Sequence, residues 1–131
     1  MKKGNINPTQ GEMEILEVLW KTGAASVRQV HDLLNEIPNR KKKGYTTTLK
    51  FMQNMYEKGL LTREEAGKKH LYQPTISEKD NVQKRLDKIV EKTFHGSAMK
   101  LVMQILGNNK SSKEELNEIR DYLDQLDQDK K

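Results

Sequence analysis

Thr46, Thr47, Lys50, Gln53 and Asn54 lie within nine residues of one another, and every one ends in a hydrogen-bonding group. Leu49, Met52, Met55 and Tyr56 recur between them at i, i+3, i+6 and i+7, which is the spacing of one side of a helix. The polar group therefore falls on the opposite side. Hydroxyls and amides can donate and accept at base edges, and a threonine methyl can touch a thymine methyl. Just upstream, Arg40-Lys41-Lys42-Lys43 sets four cations in a row before the helix's first turn. Free N–H groups and the positive end of the helix make that a natural place for phosphate. Downstream, Lys68 and Lys69 follow Gly67 in what reads as the tip of a hairpin. The chemistry is that of nucleic-acid recognition. Lys41, Lys42, Lys43, Lys68 and Lys69 suit the sugar-phosphate backbone. Thr46, Thr47, Lys50 and Gln53 suit the bases. The competing reading is an ordinary amphipathic helix whose polar face, Asn54 included, is merely solvated.

Charge supports the first reading. Residues 1–74 hold 13 Lys/Arg against 8 Asp/Glu, whereas residues 75–131 hold 11 of each. The whole net charge of +5 thus lies in the half that contains the polar helix, as expected of a nucleic-acid-binding half joined to a neutral assembly half. Other chemistries find little support. There is no cysteine, which excludes disulfides, thiolate metal sites and a thiol nucleophile. His31, His70 and His95 are scattered, with no metal-ligand spacing around them. No Gly-rich phosphate loop, catalytic carboxylate pair or nucleophile motif is present. No metal, no cofactor and no enzymatic activity are expected. The N-terminus leads into no apolar run of signal-peptide length, and no stretch approaches the ~20 apolar residues of a membrane span. A soluble cytoplasmic protein without membrane insertion is expected.

The surrounding elements must position these groups. A first helix begins near Pro8-Thr9, capped by Asn7 or Thr9, with Met13, Ile15, Leu16, Val18, Leu19 and Trp20 as its apolar stripe. Ala24-Ala25 is a short connection or a brief strand. Ser26 with Gln29 three residues on is a capping box. It opens a second helix with Val27, Val30, Leu33, Leu34 and Ile37 inward and His31 beside the stripe; Pro38 ends it. The polar helix follows from about Thr46 to Lys58, with Gly59 as a left-handed stop. Residues 60–65 and 70–74 read as a hairpin closing at Pro74. Helix, helix, helix, hairpin is a winged helix-turn-helix.

Residues 75–77 mark a boundary, giving a winged-helix DNA-binding domain over 1–75 and a helical dimerisation domain over 76–131. Ser77 caps a helix over 78–94, broken by His95-Gly96. Ser97 opens a short helix that is apolar nearly all round. Ser112 with Glu115 caps a last helix, and the tail 127–131 should fray. Such short helices make a poor core alone. Val82, Leu86 and Ile89, then Leu101, Val102 and Ile105, then Leu116, Ile119 and Leu123 are the expected dimer-forming positions. A two-fold pair would also offer two polar helices to two DNA half-sites. The expected class is mainly α with a small β-wing. The expected function is sequence-specific recognition of double-stranded DNA by a dimer. A winged-helix module that docks protein without specific DNA binding is the alternative; it would not need the basic excess or the hydroxyl-rich helix.

The chain resembles the penicillinase/methicillin-resistance repressor family (BlaI/MecI) over about residues 6–126. Carrying the likeness are Pro-Thr-Gln-Gly-Glu-Met-Glu-Ile-Leu-Glu-Val-Leu-Trp (8–20), Ser-Val-Arg-Gln-Val (26–30), Tyr-Thr-Thr-Thr-Leu (45–49), Tyr-Glu-Lys-Gly-Leu-Leu (56–61) and Tyr-Gln-Pro (72–74). Gly-Ser-Ala-Met-Lys-Leu-Val (96–102) and Glu-Glu-Leu-Asn-Glu-Ile-Arg (114–120) also fit. The resemblance implies a winged-helix domain followed by a helical dimerisation domain, in a repressor that binds operator dyads and controls a resistance or stress operon. It implies that Thr46, Thr47, Lys50 and Asn54 enter the major groove, although Asn54 stands where many members have Arg. It also implies a membrane-bound sensor protease as partner. That protease cuts an Asn–Phe bond in the helix after the Gly-Ser segment; the aligned pair here is Gln104–Ile105. Copper-responsive relatives use C-terminal cysteines as ligands, and this chain has none.

Overall fold

A computed structural model describes residues 7–108 and 110–130. The elements, in chain order, are α1 (Gln10–Thr22), α2 (Val27–Glu36), α3 (Tyr45–Lys58), β1 (Leu61–Ala66), β2 (Lys69–Pro74), α4 (Glu78–Thr93), α5 (Ala98–Asn108) and α6 (Lys113–Asp129). Two compact units are present, residues 1–83 and 84–131, and their border falls inside α4.

In the first unit α1 and α2 start where side chains satisfy free N–H groups. The Glu12 N–H donates to Thr9 Oγ1 at 3.2 Å, while the Thr9 N–H donates to Glu12 Oε1 at 2.9 Å. Ser26 and Gln29 form the same reciprocal box at the head of α2. Each box is worth about 1 kcal/mol to its helix. The third helix has no side-chain cap, and its N-cap is Gly44. Gly59 closes it at φ 87°, with the Leu60 N–H on the Met55 carbonyl at 2.8 Å. That left-handed position costs a residue with a Cβ about 1–2 kcal/mol.

The core is built where α1, α2 and α3 meet the wing. Ile15, Leu16, Leu19, Val30, Met52, Met55, Leu61 and Tyr72 are all buried. Trp20 lies at the edge, its indole Nε1 donating to the Ile76 carbonyl at 3.0 Å. The two wing strands are antiparallel, in a register running from Leu61 opposite Pro74 to Ala66 opposite Lys69. The turn is only Gly67-Lys68, and Gly67 has φ +66°, so glycine there relieves a conformation other residues resist. Lys69 therefore begins β2, and Lys68 alone occupies the tip where two lysines were expected. Ala25 and Tyr72 exchange both backbone hydrogen bonds, at 3.0 and 2.8 Å. The α1–α2 connection thereby adds a one-residue bridge to the wing.

Two helix faces differ from the periodicity. On α3, Thr48 is buried and Tyr56 is 39% exposed, where Leu49 and Tyr56 were expected inward with Met52 and Met55. Burial follows Thr48, Met52 and Met55 at i, i+4 and i+7, and Leu49 is half-buried. Leu33 of α2 is likewise exposed rather than inward.

The C-terminal helices are set by local signals. Ser77 Oγ accepts from the Asp80 N–H at 3.1 Å, and Ser97 Oγ accepts from the Lys100 N–H at 3.2 Å. His95 and Gly96 both take positive φ and stop α4. Ser112 and Glu115 form the third reciprocal box. The last helix runs to Asp129, so it is helical through most of the segment expected to fray; Lys131 lies outside the described residues. Neither α5 nor α6 has a buried residue.

Candidate nucleic-acid interface

Thr46, Thr47, Lys50 and Asn54 are exposed on α3 and, with Phe51, line one shallow depression of about 260 Å³. Gln53 is exposed as well but faces elsewhere. With Tyr45 and Leu49 it lines a groove of about 340 Å³ that also receives Arg28 from α2 and Arg63, Lys68, Lys69 and His70 from the wing. The helix thus presents two adjoining surfaces, one rich in short donors and acceptors, one strongly basic. Arg28 and Arg63 were missed by sequence reasoning, because neither sits in a charge run.

The basic loop is only partly free. Arg40 forms an ion pair with Glu14 of α1, and Lys43 approaches the same carboxylate at 3.7 Å. The Lys43 ammonium also lies 4.9 Å from the Phe51 ring centroid. Lys41 and Lys42 are exposed, and no ion pair among the described residues engages them. Of the three loop lysines assigned to phosphate, these two are the ones projecting freely into solvent.

The start of α3 is held by a relay from α2. Asn35 Oδ1 accepts from the Lys43 N–H at 3.2 Å, and Asn35 Nδ2 donates to the Lys43 carbonyl at 3.2 Å. The same amide nitrogen lies 3.2 Å from His31 Nε2, and His31 Nδ1 lies 3.3 Å from Thr48 Oγ1. An amide nitrogen can only donate. His31 therefore accepts at Nε2 and donates from Nδ1 to the buried threonine. His31, which reads as a boundary residue in the sequence, links α2 to α3 and meets the Tyr45 ring edge-on at 5.6 Å. Nothing but the i, i+4 spacing of His31 and Asn35 hints at this, since the contacts to Lys43 and Thr48 are set by tertiary packing.

The far end of α3 is tied to α1. Lys58 Nζ lies 2.7 Å from Glu12 Oε2. Burial by itself would raise the Glu12 carboxyl. The Lys58 ammonium and the Thr9 N–H and hydroxyl outweigh it and hold the group below its ordinary value. Glu14 and Glu12, two residues apart on α1, therefore anchor the loop before α3 and the last turn of α3. On the wing, the Tyr72 phenol opposite Arg63 and the Tyr56 phenol favour the charged guanidinium.

Among the described residues no group of three or more His, Asp or Glu side chains could hold a metal ion, and no helix is long and apolar enough to cross a membrane.

The residues expected to form a dimer are a mixed set. Val82, Leu86, Ile89, Val102, Ile105 and Leu123 are exposed, whereas Leu101, Leu116 and Ile119 are half-buried. Val82 falls in the first compact unit and the others in the second. Met99, at 71% exposure, and Met103, Tyr122 and Leu126 are further exposed apolar side chains of the second unit. Gln104 and Ile105 are exposed in mid-α5.

The family profile described as "Penicillinase repressor" matches residues 8–125. The chain is 25% identical over 117 residues to a penicillinase repressor of Bacillus licheniformis, covering 89% of each chain. It is 24% identical over 115 residues to the methicillin resistance regulatory protein MecI of Staphylococcus aureus strain N315, covering 88% of this chain and 91% of that one. Among solved structures, the DNA-binding domain of the repressor BlaI aligns at 24% identity and TM-score 0.49, over 60% of this chain and 90% of that one. A variant of Lactococcus lactis ZitR aligns at 21% identity and TM-score 0.46, over 97% and 78%.

Proposed function

The chain belongs to the penicillinase repressor family, and from that membership we propose that it is a homodimeric repressor that recognises an operator dyad. As a member of that family it is a DNA-binding transcriptional repressor and not an enzyme. The observation that carries the finer reading is the exposed face of Thr46, Thr47, Lys50 and Asn54 beside the basic groove. In the mechanism proposed, α3 lies in the major groove with Thr46, Thr47 and Lys50 at base edges and Asn54 at their border. Lys41, Lys42, Lys68 and Lys69 meet phosphate, and Gln53 reads from the groove side. Lys43, shared with Glu14, contributes less than its two neighbours.

The apolar side chains left exposed on α4, α5 and α6 support pairing with a second copy, through Val82, Leu86, Ile89, Val102, Ile105 and Leu123 at its centre. Pairing would set two copies of α3 about one helical turn of DNA apart. Release by a membrane-bound sensor protease at Gln104–Ile105 belongs to the same reading. The bond lies within α5, so cutting it requires that helix to open locally.

Titration of a duplex at increasing salt tests the DNA-binding mode. Affinity is expected to fall linearly on logarithmic axes, and Lys68→Ala is expected to flatten the slope by about one unit. An unchanged slope would remove the wing tip from the phosphate backbone. Absence of salt-sensitive binding would overturn the operator reading.

A further inference from the structure

Two arginines outside the lysine runs sit over tyrosine rings. The Arg28 guanidinium carbon is 4.3 Å from the Tyr45 ring centroid, and that of Arg63 is 4.1 Å from the Tyr56 centroid. Tyr45 is the first residue of α3, and Tyr56 stands eleven residues on. Eleven residues are close to three full turns, so the two rings share one side of the helix, about 16 Å apart along its axis. Leu49 and Gln53 fall between them on that side and line the basic groove. The arginines come from different elements, one from α2 and one from β1, and converge on the two ends of this face. All four residues are exposed. Neither arginine is in an ion pair among the described residues, in contrast to Arg40, which is spent on Glu14.

A guanidinium laid on a ring keeps its planar N–H donors pointing outward at the edge while losing part of its rotamer freedom. The ordering that phosphate binding would demand is thus largely made beforehand. Two guanidinium groups on one side of a helix lying in a groove face the backbone along that side, and a span of about 16 Å covers a few successive phosphates of one strand.

We propose that Arg28 and Arg63 are a pair of preset phosphate grips, one at each end of one face of α3, that hold the DNA backbone running along that side of the groove this helix enters. Tyr45 and Tyr56 act through them as positioning residues. This rests on the DNA-binding reading above and adds to it the residues that fix the helix's register. The grips carry no base readout, so they act equally on any sequence.

The test measures affinity and salt slope of the full chain on an operator duplex and on a random duplex. Arg28→Ala and Arg63→Ala are each expected to weaken both complexes alike and to lower the salt slope by about one unit. Arg28→Lys and Arg63→Lys keep the charge but not the planar guanidinium. They are expected to retain the slope and lose affinity roughly two- to five-fold. Tyr45→Leu and Tyr56→Leu should match the lysine variants, while Tyr45→Phe and Tyr56→Phe should match the parent. Alanine variants with parental affinity and slope, alongside a Lys68→Ala variant that does lower the slope, would overturn the grips and leave the repressor reading standing. Lysine variants indistinguishable from the parent would overturn the preset geometry. A parent protein with no salt-sensitive binding to either duplex would overturn both readings together.

Discussion

At the residue scale, Lys50 is the side chain whose removal separates base reading from backbone attraction. It is exposed between Thr46, Thr47 and Asn54, and no ion pair among the described residues holds it. If it reads a guanine, Lys50→Ala is expected to weaken operator binding by about 1–3 kcal/mol more than random-DNA binding. Competitive anisotropy titrations on the two duplexes measure the difference, and equal losses would take Lys50 out of base readout. That Thr46, Thr47 and Lys50 share one exposed face could be read from the sequence, because residue type and helical spacing alone set it. The burial of Thr48 could not. It is as polar as its neighbours, yet it is buried and receives a hydrogen bond from His31. That contact needs α2 to cross α3 at one height, which no local pattern encodes. Arg28 and Arg63 escaped for a related reason: their value lies in the tyrosines beneath them, contributed by another element.

At the scale of elements, capping was readable and docking was not. Ser26 with Gln29 and Ser112 with Glu115 announce their helices by spacing, and both boxes form. Thr9 with Glu12 follows the same rule, but Glu12 also receives Lys58 from the far end of α3. One carboxylate thus both caps α1 and fastens α3. Its pH consequence follows from the direction of its shift. The folded state holds the Glu12 carboxyl below its ordinary value of 4.5, so the unfolded chain binds the proton more readily. The stability it contributes is fully present above that value and is lost as pH falls through it towards the lower folded value. Glu12→Gln is expected to cost about 1–2 kcal/mol at neutral pH and to melt with a shallower acid limb below about pH 4.5. Thermal melts across that range check it; parallel curves for parent and variant would show that Glu12 gains nothing from its ionised form. The inversion of Tyr56 and Thr48 on α3 belongs to this scale too. Tyr56, at a nominally inward position, is exposed and carries Arg63 of the wing over its ring, because the buried side of the helix follows Thr48, Met52 and Met55.

At the scale of the whole molecule, the division of charge along the chain was the most informative feature of the sequence. It separated a basic half from a neutral half before any element was placed. The sequence boundary at residues 75–77 and the border of the compact units after Gln83 fall on either side of the first turns of α4, because a helix that leaves one domain and enters another carries no punctuation of its own. Val82, Leu86 and Ile89 of α4 could be named as an apolar face from their i, i+4, i+7 spacing, which marks such a face whether or not a single chain covers it. Leu101, Leu116 and Ile119, expected with them, are half-buried, and Met99, Met103, Tyr122 and Leu126 are exposed beyond the expected set. The central claim, a dimer reading a two-fold site, is tested most directly by selecting bound duplexes from a random DNA pool with the full chain at near-physiological salt and sequencing them. The expected result is an inverted repeat whose half-sites lie about one helical turn or a little more apart. Recovery of DNA with no common sequence, bound only in proportion to low salt, would contradict it.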